Sequence, residues 1–125
     1  MKSICVYCGS NAGSKPIYSE RAAALGARIA KEGLRLVYGG GNVGLMGVVA
    51  NAVLEAGGQV TGVIPKQLAD WEVAHRGLTE LEIVGSMHER KSRMFDLSDG
   101  FVTLPGGFGT MEEIFEMLTW RQLGL

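Results

Sequence analysis

The 125-residue chain carries 12 Lys+Arg against 13 Asp+Glu, so it has no basic field with which to follow a nucleic-acid polymer. Its apolar runs are too short to span a bilayer, and no charged n-region followed by an apolar h-region opens it; a cytoplasmic protein with no membrane partner is predicted. The length fits one domain over 1–125, and the excess is in its 19 glycines, a residue kept where backbone turns sharply or must be approached closely.

Ser3 to Cys8 reads as a short buried strand, followed by a loop of small residues from Gly9 to Ser14. Cys5 and Cys8 form a C-x-x-C, but positions three apart on a strand point to opposite faces, so the thiols diverge, and no metal is predicted. Pro16 suits a first helical turn, and Tyr18, Ala22, Leu25 and Ile29 recur at helical spacing until Gly33. Leu34 to Tyr38 is a second strand. It is followed by a glycine loop from Gly39 to Gly44 and an apolar helix through Leu45, Val49 and Val53 to Gly57. Gln59 to Ile64 is a strand closed by Pro65, Lys66 to Gly77 looks irregular, and Glu80 to Val84 is a shorter strand. A helix over His88 to Ser98, a buried strand at Phe101 to Leu104 and a last helix from Thr110 to Leu123 complete the pattern.

Strands that alternate with helices imply an α/β fold. A Rossmann-like, mostly parallel sheet is expected, with helices on both faces in three layers and ligands beyond the carboxyl ends of the strands. The loops at Gly9 and Ser10, at Gly40 and Gly41, and after Leu104 fall on that side, and all three are candidate nucleotide contacts. Gly39 to Gly44 formally matches G-x-G-x-x-G. The next strand, however, ends Val63-Ile64-Pro65 without the acid that a dinucleotide ribose needs, so no nicotinamide cofactor is expected. Two readings of that loop stand level: close backbone approach to a mononucleotide, or packing of helix on strand.

Pro105-Gly106-Gly107-Phe108-Gly109-Thr110 carries more weight. Proline stops a strand, three glycines leave backbone N–H groups uncovered, and a helix begins at once, which makes a cradle for an anion. No lysine precedes Thr110, so a single phosphate rather than a triphosphate is implied. Thr110-Met111-Glu112-Glu113 is also a capping box. Both roles are compatible, because a helix N-terminus keeps the Glu113 carboxylate ionised and able to act as base or nucleophile. Met87 to Arg93 opens the preceding helix with three cations. Such runs usually form a solvated face, yet here the helix start lies where cations could meet an anionic substrate.

Three segments, Gly39 through Gly47, Met87-His88-Glu89-Arg90-Lys91 and Pro105 through Glu113, resemble the LOG-type cytokinin riboside 5′-monophosphate phosphoribohydrolases, often mislabelled lysine decarboxylases. The resemblance covers the whole chain. It implies a Rossmann-like homodimer that hydrolyses an adenine-type nucleoside monophosphate to free base and ribose 5-phosphate, without a cofactor. Carried over by position, Arg90 and Glu113 look like the catalytic pair, and Gly106, Gly107, Phe108, Gly109, Thr110, Met111 and Glu112 look like substrate contacts. Glu72, Lys91 and Thr119 resemble further ones. Family members continue beyond the position of Leu125, so the sequence reads as C-terminally shortened. A pyridoxal-dependent decarboxylase fits poorly, because no Schiff-base lysine with ring partners is evident. The competing reading is a non-catalytic carrier of a nucleotide or phosphorylated cofactor.

Overall fold

The computed structural model describes residues 1–8 and 16–104. Five strands of the described residues form one parallel sheet: β1 (Ser3–Tyr7), β2 (Arg35–Tyr38), β3 (Gln59–Pro65), β4 (Glu80–Val84) and β5 (Gly100–Thr103), in the order β4-β3-β2-β1-β5. Three helices connect them: α1 (Pro16–Lys31), α2 (Gly44–Glu55) and α3 (Met87–Leu97). A short 3-10 turn spans Lys66–Leu68, at the start of the segment expected to be irregular.

The period of two along the strands divides the core into two layers. Ile4, Val6, Leu36, Tyr38 and Val60 face Ala22 and Ile29 of α1 and Leu45, Val49 and Val53 of α2. Cys5, Tyr7, Val37 and Val63 face Met94, Phe95 and Leu97 of α3, joined by Phe101 of β5. Helices therefore cover both faces, as the alternation of elements predicts. Cys5 packs on the α3 side and Cys8 on the other. Cys8 itself lies one residue beyond β1 rather than inside it.

The other boundaries shift by a residue for identifiable reasons. Pro65 still belongs to β3 because it pairs with Val84, and β5 begins at Gly100 because that residue pairs with Ile4. α3 begins at Met87, where the Ser86 hydroxyl accepts a hydrogen bond from the Glu89 N–H at 3.1 Å and the Glu89 carboxylate accepts one from the Gly85 N–H at 3.0 Å. This is capping-box chemistry with the return bond displaced by one residue.

From β1 the chain steps outward through β2, β3 and β4, then returns to pair β5 on the far side of β1. The reversal makes the carboxyl ends of β1 and β5 the switch point of the sheet, where open α/β folds bind ligands. Just beyond these two strands the Leu104 N–H donates to the Tyr7 carbonyl at 2.8 Å.

Candidate functional site

Arg90 sits on the first turn of α3, and its side chain is turned inward. The residue is 3% exposed. Its Nε donates to the Val63 carbonyl at 3.0 Å, and its Nη2 donates both to the Gly39 carbonyl and to Glu72 Oε1, the latter at 2.8 Å. Among the described residues, the polar contact of Nη1 is Met87 Sδ at 3.9 Å. The guanidinium thus lies across the carboxyl ends of β2 and β3, neutralised on one side by a carboxylate. Arginine stays charged at any physiological pH, and such a charge is retained in a buried place only when it is paired and hydrogen-bonded, as it is here. The solvated-face reading of Met87 to Arg93 is overturned at Arg90. It holds at Arg93, which is exposed and bonds Glu82 at 2.9 Å, while Lys91 is half-buried.

The glycine turn after β2 is shaped for this guanidinium. A Cβ on Gly39 would collide with Arg90 Nη2. Gly40 adopts φ +80°, which L-residues avoid, and a Cβ there would fall 3.1 Å from the Ile64 Cβ. The carbonyls of this turn are used internally: Gly40 accepts from the His75 N–H at 2.9 Å and Gly41 from the buried Tyr38 hydroxyl at 2.7 Å. Burial, reinforced by the neighbouring Cys8 thiol, pushes the Tyr38 phenol well above its ordinary value, so it serves as a permanent donor. Of the two level readings of the turn, the geometry supplies the packing one directly; Gly40 and Gly41 remain nucleotide contacts only by expectation.

Glu72 comes from the stretch between the 3-10 turn and β4. Its backbone carbonyl and that of Val73 both accept from the Asn42 N–H, at 3.0 and 2.8 Å, and Ala74 bridges to Gly41. Two loops distant in sequence are thereby laced together, and they place the Glu72 carboxylate on Arg90. The resemblance implies a substrate contact for Glu72; the structure gives it Arg90 as partner.

The structure thus brings together Arg90, Glu72 and the turn at Gly39, Gly40 and Gly41. Gly9, Ser10, Gly106, Gly107, Phe108, Gly109, Thr110, Met111, Glu112, Glu113 and Thr119 lie outside the described residues, as does the expected last helix. Sequence reasoning passed over Tyr38, read only as a strand residue, and His75, read as part of an irregular stretch. A tyrosine ending a buried strand beside a glycine run was the available signal for the first. Among the described residues no group of three or more His, Cys, Asp or Glu side chains could hold a metal ion, and no helix is long and apolar enough to cross a membrane.

Comparison with known proteins bears on this arrangement. A family model described as "Possible lysine decarboxylase" matches residues 46–125. A cytokinin riboside 5′-monophosphate phosphoribohydrolase of Rhodococcoides fascians is 54% identical over 125 residues, which cover 99% of this chain and 63% of that protein. A probable enzyme of the same name from Oryza sativa subsp. japonica is 52% identical over 122 residues, covering 98% of this chain and 55% of the relative. The chain therefore spans between about half and two-thirds of the length of these relatives. Among solved structures, the molybdenum cofactor carrier protein of Chlamydomonas reinhardtii superposes with a TM-score of 0.82 at 25% identity, covering 96% of this chain and 72% of that one. The molybdenum cofactor binding protein of Rippkaea orientalis gives 0.81 at 26% identity, covering 97% and 73%.

Proposed function

Because the chain belongs to the LOG family, whose model carries the description "Possible lysine decarboxylase", we propose that it hydrolyses the N-glycosidic bond of an adenine-type nucleoside 5′-monophosphate, releasing free base and ribose 5-phosphate. The observation that carries this reading is the buried Arg90–Glu72 pair at the carboxyl edge of the sheet, in a chain 54% identical to a phosphoribohydrolase. In this reaction the phosphate rests on the backbone from Gly106 to Thr110. The Glu113 carboxylate stabilises positive charge developing at the anomeric carbon or activates the attacking water. Arg90 orients substrate or carboxylate and is not cast as the proton donor to the leaving base, since arginine side chains are poor acids.

One nucleotide-binding domain over 1–125 accords with the single sheet of the described residues. A cytoplasmic setting is proposed from the sequence, and a homodimer accords with the family resemblance.

The test incubates the complete protein with AMP and with N6-prenylated AMP and separates free base and ribose 5-phosphate by chromatography. Release of base, lost in Glu113→Gln while monophosphate binding persists, is the expected result. The structural likeness to cofactor carriers favours a second reading, binding without turnover. Monophosphate binding with no base released from any nucleotide would establish that second reading and remove the first.

A further inference from the structure

We propose that His75, acting through Asn51, is a positioning residue for the Arg90–Glu72 pair. This deepens the hydrolase reading and rests on it for the role of Arg90.

Glu72 has neither helix nor strand of its own to hold it. It stands in a strap that runs from the 3-10 turn to β4, and the next residue, Val73, has φ +50° and is half-exposed. A β-branched residue in the left-handed region persists only where its surroundings overdetermine it, and an exposed side chain adds little packing to do so. Hydrogen bonds on either side supply the restraint. Upstream, the Glu72 N–H donates to the Leu68 carbonyl at 2.8 Å. Downstream, the Ala74 N–H donates to Ala69 at 2.8 Å and the His75 N–H to Gly40 at 2.9 Å.

The imidazole of His75 completes the downstream anchor. The residue is 9% exposed, and its Nδ1 accepts from the Gly77 N–H at 3.1 Å. With Nδ1 an acceptor, the ring proton of the neutral form belongs on Nε2, which donates to Asn51 Oδ1 at 2.7 Å. Asn51 lies on α2, the helix that opens directly from the Gly39 to Gly44 turn.

A closed circuit results. From Gly39 the chain runs through the turn and along α2 to Asn51, crosses to His75, and returns through Val73 to Glu72. Both ends of this circuit meet on one atom, Arg90 Nη2, which donates to the Gly39 carbonyl and to Glu72 Oε1. The Asn51–His75 clasp thus adds to the backbone bonds of Asn42 and His75 in holding the span between its two acceptors, although neither Asn51 nor His75 touches Arg90. A nitrogen fixed between two acceptors cannot swing, and the face that the guanidinium turns toward substrate is fixed with it.

The test uses Asn51→Leu in the complete protein. Asn51 is exposed on α2, so the substitution leaves the core intact, as an unchanged thermal midpoint would verify. Asn51→Asp keeps an oxygen acceptor for Nε2 and serves as the conservative variant. Asn51→Leu should lower kcat about tenfold with KM held within about twofold, as expected for misplacement of an orienting group. Asn51→Asp should restore kcat to within about twofold of the parent, and adding His75→Leu to Asn51→Leu should lower it no further.

A second readout does not depend on turnover: the 15N-detected Nε–H signal of Arg90 and its protection from solvent exchange. Protection should fall in Asn51→Leu and return in Asn51→Asp. Unchanged protection in Asn51→Leu overturns the proposal. If the parent protein releases no base at all, the function reading fails, while the Arg90 signal still decides the role of the clasp.

Discussion

Removal of the Glu72 carboxylate is the perturbation whose size the structure fixes most closely. Arg90 Nη2 and Glu72 Oε1 are 2.8 Å apart, with side-chain exposures of 4% and 16%. Deleting one partner of a fully buried pair costs about 3–5 kcal/mol, because the other charge is left uncompensated. Glu72 keeps a little contact with solvent, and Arg90 retains the Val63 and Gly39 carbonyls, so Glu72→Ala should cost about 2–4 kcal/mol. Glu72→Gln preserves volume and one acceptor oxygen, and loses only the difference between a charged and a neutral hydrogen bond, about 1–2 kcal/mol. The assay is urea unfolding at neutral pH of Glu72→Ala, Arg90→Met and the double variant, closed as a thermodynamic cycle. The coupling energy should reach about 2 kcal/mol, well above the 0–1 kcal/mol of an exposed pair. A coupling below about 0.5 kcal/mol would place this pair in the exposed class and refute the claim that the guanidinium is held by the carboxylate.

Gly39→Ala drives a methyl into the Arg90 guanidinium; it should cost about 1–3 kcal/mol in urea unfolding and impair turnover together. Val73→Asn replaces a β-branched residue at φ +50° by one that tolerates the left-handed region, and should raise stability by about 1 kcal/mol, read as a higher urea midpoint at unchanged slope. Burial lowers the pKa of His75 from its ordinary 6.5, so the unfolded chain binds the extra proton first. The stabilisation is full above the ordinary value and is lost as pH falls toward the folded one; His75→Gln should flatten the thermal midpoint across that window. The Asp99 carboxylate accepts from the N–H groups of Lys2 and Ser3, which lower its pKa from 3.8. Its contribution is present above that value and disappears on further acidification, so Asp99→Asn should show a shallower loss of thermal midpoint below pH 4.

The parallel sheet and its two helical layers were legible because strands and helices bury residues with different periods, and most strands here are short and apolar with a glycine or proline close to their ends. Position along the sequence also located the site edge, since carboxyl ends of parallel strands always gather on one side. Arg90 was harder to read. Three cations in seven residues have the pattern of a wet helix face, and only the tertiary position of Gly39 and Glu72 shows that one of them turns inward. The Glu72 strap has no periodicity, so nothing local in Lys66 to Gly77 announced that its hydrogen bonds run to the Gly39 to Gly44 turn. His75 carries no spacing signal of the kind that marks metal ligands, and its hydrogen bond to an asparagine 24 residues earlier leaves no trace in the local sequence.

The pairing of β1 with β5 has a bearing on biosynthesis. Lys2 and Asp99 lie 97 positions apart yet are hydrogen-bonded, so the first strand to leave the ribosome waits for the last described one before its second edge is covered. Through that interval Ser3–Tyr7 presents an unpaired apolar edge that β5 will later cover, the kind of surface on which nascent chains associate wrongly. A translation arrest before Gly100 would therefore leave a four-stranded fragment with a sticky edge at β1, and chaperone engagement should concentrate in that window.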